Sequence, residues 1–252
     1  MTERDLAGKG AIITGSSRGI GAATAQLIGE RGAGVVVNYR AKAPRANKVV
    51  KGIEEAGGRA VAVQADLTEA AGSQALVEAA VQSFGSLDLL ILNASGGMEA
   101  DRGEHYALKL NRDAQVTMVE TAMDVMPAGS QIVFVTSHQA HFINQVATMD
   151  AYEPVARSKR AGEDALRALV PALDEKGILL TIVSGDMIEG TITATLLNRA
   201  QPGAIEARRE AAGKLYTVEE FAEEIAKLVN KPGLEQAHTE LVGGAADFLS
   251  RQ

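Results

Sequence analysis

Thr14-Gly-Ser-Ser-Arg-Gly-Ile-Gly21 follows directly on the apolar run Ala11–Thr14 and opens onto a helical pattern, and this strand, turn and helix decide the fold. Gly15, Gly19 and Gly21 permit a tight turn, close approach of backbone to a ligand, and close packing of helix on strand. The helix start adds unpaired amide donors and a partial positive charge. The turn therefore reads as a cradle for a pyrophosphate. A glycine-rich turn alone is weak; its position between strand and helix gives it meaning.

Outward from this turn, apolar runs rich in β-branched residues recur at Val35–Asn38, Ala60–Gln64, Leu87–Asn93, Ile132–Thr136, Leu179–Ser184 and Glu240–Val242. Between them Gly19–Gly32, Pro44–Ala56, Ser73–Phe84, Asn111–Val125, Pro154–Leu173 and Thr217–Asn230 repeat apolar residues at three- and four-residue spacing. That alternation predicts a single-domain α/β protein: a Rossmann-type doubly wound sheet of seven mostly parallel strands with helices on both faces. Thr217 and Glu220 form a capping box for the last helix, whose face is Val218, Phe221, Ile225 and Leu228. The segment from Thr191 to Gly213 has no place in the sheet. It reads as a helical lid over the substrate, and a plain surface excursion fits it almost as well.

The 252 residues, 46% apolar and 23% charged, suffice for a large buried core. There is no cysteine, which excludes disulfides, thiolate metal sites and a cysteine nucleophile. Net charge is −7 and the basic residues are dispersed, so no nucleic-acid footprint is present. The polar start MTERDLAGKG and the lack of any 18-residue apolar stretch lead to the expectation of a cytoplasmic protein with no membrane contact.

The three residues between the first two glycines resemble the TGxxxGIG fingerprint of short-chain dehydrogenases/reductases. Further matches follow in that family's order: Asp66 after the third strand, Asn93-Ala94-Ser95-Gly96 after the fourth, then Asn111, Ser137, Lys159 and Gly185. The resemblance spans about residues 8 to 244. It implies a nicotinamide cofactor held by Gly15, Ser17, Arg18, Gly19, Ile20, Gly21, Asn38, Tyr39, Arg40, Asp66, Leu67, Asn93, Ala94, Ser95, Lys159 and Gly185, a small-molecule substrate, and a homo-oligomer, either tetramer or dimer. Charge indicates which dinucleotide. NAD-binding sites usually end the second strand with a carboxylate, whereas this chain has Asn38-Tyr39-Arg40 there and Arg18 in the turn, so NADP(H) is expected over NAD(H).

The family's chemistry uses Ser, Tyr and Lys assisted by an Asn, which here implies Ser137, Tyr152, Lys159 and Asn111. One departure is central. The usual tyrosine stands four residues before lysine, and that position is Val155. Tyr152 is seven residues before Lys159, about 10 Å along a straight helix. Pro154 favours a helix start, so Tyr152 is expected just ahead of the helix, in an extended or turn segment, with its phenol folding back toward Lys159.

A Tyr-x6-Lys spacing is also similar to enoyl-thioester reductases of the same superfamily. Carbonyl/alcohol chemistry therefore leads because Ser137 is kept, and reduction of a conjugated C=C is the alternative. Val155 motivates a third reading, a catalytically silent NADP(H)-binding sensor. In the segment after Ser137, His138 is a candidate substrate contact or alternative proton donor, and Phe142 a candidate pocket wall. His138 and His141 lack an evident third ligand, so no metal is expected.

Overall fold

The computed structural model describes residues 4–98 and 105–249. Seven strands, β1 (Gly10–Ile13), β2 (Gly34–Tyr39), β3 (Arg59–Gln64), β4 (Leu89–Leu92), β5 (Gln131–Ser137), β6 (Leu179–Gly185) and β7 (His238–Val242), form one sheet in the order β3-β2-β1-β4-β5-β6-β7. Every pairing in it is parallel, including that of β7 with β6. Near-continuous apolar runs such as Val35-Val36-Val37 suit this arrangement, because helices cover both faces. Ala11, Ile13, Val35 and Val37 pack on one face, while Ile12 and Val36 pack on the other.

Helices α1 (Gly19–Glu30), α2 (Ala43–Glu55) and α3 (Ala70–Phe84) follow the first three strands. After β4 come a short turn of helix, α4 (Tyr106–Leu108), a π-helical turn (Lys109–Asp113) and α5 (Ala114–Met123). After β5 come α6 (His138–His141), α7 (Glu153–Ala168) and α8 (Val170–Glu175). The expected Pro154–Leu173 helix is thus two. Pro171 is the cause: its ring would clash with the carbonyl of Arg167, and it has no amide to continue the ladder.

The segment without a strand folds as α9 (Ile192–Ala200) and α10 (Ala204–Ala212). Helix α11 (Val218–Leu228) starts with the capping box expected from the sequence: Glu220 N–H donates to Thr217 Oγ1 at 3.2 Å, and Thr217 N–H donates to the Glu220 carboxylate at 3.0 Å. Among the described residues, no helix is long and apolar enough to cross a membrane.

Strand order reverses between β1 and β4, and a crevice opens there beyond the carboxyl ends of the strands. Thr14, Asn38, Asn93 and Ser137 all stand at that edge.

Candidate active site

Helix α1 starts without a capping side chain. Arg18 holds an extended backbone ahead of it, and no acidic residue lies in its first turn. Its leading amides are left to an anion from the cleft. Gly15 has φ +64°, the left-handed region that favours glycine. At Gly21 a Cβ would lie 2.5 Å from Asn93 Nδ2, 2.8 Å from the Gly15 carbonyl oxygen and 2.9 Å from Ser16 Cα. The turn is pinned from below by side chains. The buried Thr14 hydroxyl accepts from the amides of Asn93 (2.9 Å) and Ala94 (3.0 Å), and Asn93 Nδ2 donates to the Thr14 carbonyl at 3.0 Å. Gly15 N–H donates to Asn38 Oδ1 at 2.9 Å. Asn38 and Asn93 therefore hold the strand ends in register as well as lining the crevice. Asp66 also has a local task, accepting from the amide (2.9 Å) and hydroxyl (2.7 Å) of Thr68.

The crevice is a cleft of about 810 Å³. Gly15, Ser17, Arg18, Gly19, Ile20, Gly21, Asn38, Tyr39, Arg40, Asp66, Leu67, Asn93, Ala94 and Ser95 line one part of it, and Ser137, Tyr152 and Lys159 line another. Two further cations, Lys42 and Arg45, border it beside Arg18 and Arg40. The run Arg40-Ala-Lys-Ala-Pro-Arg45 carries no acidic residue, which was the sequence signal for them. Arg40 hydrogen-bonds the Tyr106 hydroxyl.

At the other part, Tyr152 is the residue that leads into α7, with φ −106° and ψ −16°, and Pro154 takes the second helical position rather than the first. Its ring is turned inward and only 5% exposed. The phenol oxygen lies 3.3 Å from Ser137 Oγ. Burial pushes the phenol above its ordinary pKa, with the Ser137 hydrogen bond opposing, so it stays protonated at neutral pH. Lys159 is buried, and burial brings its ammonium down to about 8 against the counter-pull of Glu163 one turn later. Among the described residues, Lys159 Nζ has no hydrogen-bond or ion-pair partner. A buried ammonium that borders a cleft with no acceptor from the protein fits a ligand that brings hydroxyls, such as a ribose. The amide cradle, the tight turn that Gly21 allows and this ammonium together fit a dinucleotide.

Glu163, with no exposed side chain, accepts from His141 Nδ1 at 2.9 Å and from Arg167 Nε at 3.0 Å. Burial alone would raise its carboxyl, but the His141 hydrogen bond and the charges of His141, Arg167 and Arg160 hold it below the usual range. Nothing in the sequence marked it, because its burial follows from how α6 docks on α7. Asn111 is buried in the π-helical turn behind the cleft, not on its wall. Its Nδ2 donates to the Gly96 carbonyl (2.8 Å) and to Ser158 Oγ (2.9 Å), fixing the loop after β4 to α7.

Three expectations need correction. His138 is outside the cleft and fully buried: Nδ1 meets Ser184 Oγ at 2.8 Å and Nε2 meets the Gly243 carbonyl at 2.7 Å. Both ring nitrogens are spent, and burial lowers its pKa. It is no substrate contact. Phe142 packs with Val146 and Phe248 in a separate cluster, its ring 5.6 Å from that of Phe248, and is no wall of the cleft. Gly185 also lies off the cleft; a Cβ there would strike the Phe221 ring at 2.6 Å, so its smallness serves the packing of α11 on β6.

The family model described as short chain dehydrogenase matches residues 9–201. An uncharacterized oxidoreductase of Methylorubrum extorquens is 35% identical over 201 residues, 75% of this chain and 77% of its own length. A 1-cyclohexenylcarbonyl-CoA reductase of Streptomyces collinus is 32% identical over 250 residues, 95% of this chain and 87% of its own. Among solved structures, a short chain dehydrogenase from Burkholderia cenocepacia in complex with NADP superposes with a TM-score of 0.82 at 28% identity, covering 96% of this chain and 99% of that one.

Proposed function

Since the chain belongs to the short-chain dehydrogenase family, and is an oxidoreductase on that footing, we propose that it reduces a carbonyl compound to an alcohol with NADPH. The observation that carries this reading is the pair of converging hydroxyls, Ser137 and Tyr152, 3.3 Å apart on the cleft wall with Lys159 on the same wall. The bound nicotinamide supplies the hydride. Two adjacent hydroxyls on the cleft wall, each able to donate an O–H once a ligand oxygen is beside them, suit a carbonyl oxygen that gains negative charge as its carbon is reduced. Ser137 holds that oxygen. Tyr152, kept protonated by burial, gives it the proton that completes the alcohol. Lys159, on the same wall, holds the ribose hydroxyls. Asn111 keeps the loop after β4 and the start of α7 in place around them. Helix α9, whose Ile192, Leu196 and Leu197 border the cleft, forms the lid, with α10 packed against it.

The test is NADPH consumption across ketones, quinones and enoyl thioesters. Consumption with ketones or quinones is expected. Consumption with enoyl thioesters alone would install the second reading, which rests on the Tyr152–Lys159 spacing and on the name of the Streptomyces relative. Tight NADPH binding with no oxidation throughout would instead favour a silent sensor.

The preference for NADP(H) over NAD(H) belongs to the same proposal. It is supported by Arg18, Arg40, Lys42 and Arg45 around one end of the cleft, by the missing carboxylate after β2, and by the NADP bound in the Burkholderia structure. A charge-assisted hydrogen bond contributes about 1.5–3 kcal/mol, or roughly 10- to 100-fold in affinity. Arg18→Glu combined with Arg40→Glu is therefore expected to weaken NADPH by at least about tenfold while leaving NADH unchanged or tighter. Parallel fluorescence titrations check it, and equal weakening of both cofactors would remove the argument. A homo-oligomer acting in the cytoplasm on a small molecule completes the proposed description.

A further inference from the structure

A second cavity, of about 170 Å³, opens beside the cleft. Its walls include Val146, Met149, Met187, Ala204 and Phe248, and Gln139 stands at its junction with the cleft. Gln139, two residues beyond Ser137, and Met187 border both spaces, so the two are neighbours. The side cavity is half open to solvent and mainly apolar, and Gln139 is the lining residue nearest in sequence to Ser137. An apolar cavity of about 150 Å³ is known to take benzene, so this one holds a single ring or a short alkyl chain. Two of its walls are methionines, which adapt to different shapes.

The polar groups at the cavity are disposed in two ways. Arg208 is already committed: Nε donates to both Asp186 oxygens at 2.9 Å, Nη2 donates to the Gly244 carbonyl at 2.8 Å, and the guanidinium lies 5.1 Å from the Phe248 ring centroid. Its charge is matched by Asp186, so the cavity offers nothing to an anionic arm. Gln139 is oriented differently. Its Oε1 accepts from the Thr148 hydroxyl, and among the described residues its amide nitrogen has no partner. Clasped by one end, the amide keeps two N–H donors for a ligand between the cavity and Ser137.

We propose that this side cavity seats an uncharged arm of the substrate, one ring or a short alkyl chain in size, and that Gln139 donates to a second acceptor oxygen between that arm and the reacting carbonyl. The substrate class is thus a neutral carbonyl compound with a second oxygen and an apolar arm. The inference rests on the carbonyl-reductase reading, whose own test is turnover. The probes are pentane-2,4-dione and 1-phenylbutane-1,3-dione, which differ by methyl against phenyl, together with acetophenone, which lacks the second oxygen.

The experiment is calorimetric titration of each probe into the NADP⁺-saturated protein and its variants. The wild type is expected to bind the phenyl dione about tenfold or more tighter than pentane-2,4-dione, from burial of the ring. Ala204→Phe fills the cavity, and Ala147→Phe obstructs it from an exposed rim position where folding is not at stake. Both are expected to erase that preference while leaving pentane-2,4-dione within about twofold. Gln139→Leu is expected to weaken both diones and spare acetophenone. Equal wild-type affinity for the two diones, or a preference that survives both cavity variants, overturns the arm assignment. Unchanged dione affinity in Gln139→Leu overturns the role of Gln139. Turnover across ketones and quinones decides the reductase reading separately, and the titrations decide the cavity whether or not either dione is reduced.

Discussion

Tyr152→Phe is expected to lower kcat for carbonyl reduction by about 100- to 10,000-fold, the range that a positioned acid contributes. The ring sits in a small cluster with Val155, Ala156, Met187 and Leu197, and phenylalanine preserves that packing. Only the hydroxyl is lost, along with its 3.3 Å contact to Ser137. Ser137 still donates to the substrate oxygen, so residual turnover remains. NADPH affinity should stay within about twofold, because the cradle at Gly15–Gly21 and the Lys159 ammonium are untouched. Initial rates and a fluorescence titration of NADPH give both numbers. Undiminished turnover would show that protons come from elsewhere; His138 could not supply them, since Ser184 and Gly243 occupy both of its nitrogens.

Gly21→Val carries the second large effect. The added carbons have no room, because two of the three nearest atoms are backbone: the Gly15 carbonyl oxygen at 2.8 Å and Ser16 Cα at 2.9 Å. Relief requires the turn to open, which takes the α1 amides away from the place they share with the cofactor. Overpacking of this kind costs about 1–3 kcal/mol, equivalent to roughly 10- to 100-fold in NADPH affinity. The loss should appear in binding far more than in the melting temperature of the cofactor-free protein, because the sheet beneath is unaltered. Titration of NADPH alongside thermal unfolding separates the two. Wild-type affinity in this variant would remove the cradle from the cofactor site.

The sheet was legible because buried parallel strands demand apolar, β-branched runs, and those are local signals. The glycine turn was legible because the spacing of Gly15, Gly19 and Gly21 is itself the geometry of the loop. Tyr152 could be placed ahead of α7 from Pro154 alone, although the proline takes the second helical position. The contact of its hydroxyl with Ser137 was not readable, since that depends on β5 and α7 coming together. His138 was misread for an instructive reason. It is the first residue of α6, not part of β5, and the turn into that helix carries its ring away from the cleft toward Ser184 and Gly243. For Lys42 and Arg45 the acid-free run Arg40–Arg45 was the only signal, and their place beside the cleft follows from how α2 docks on α1 and β3. Glu163 was invisible because a buried carboxylate and a surface one look alike in sequence until the partners His141 and Arg167 are in place.

The central claim is that a phenol entering from the residue before α7 does the work usually done from the Val155 position. A structure of the protein with NADP⁺ and an unreactive ketone measures it directly, through the distance from the Tyr152 oxygen to the ketone oxygen. The expected distance is about 2.6–3.2 Å, hydrogen-bond reach for a proton donor, with Ser137 equally close. A ketone oxygen lodged against Val155, with the Tyr152 hydroxyl turned away and bound to another group, would contradict it.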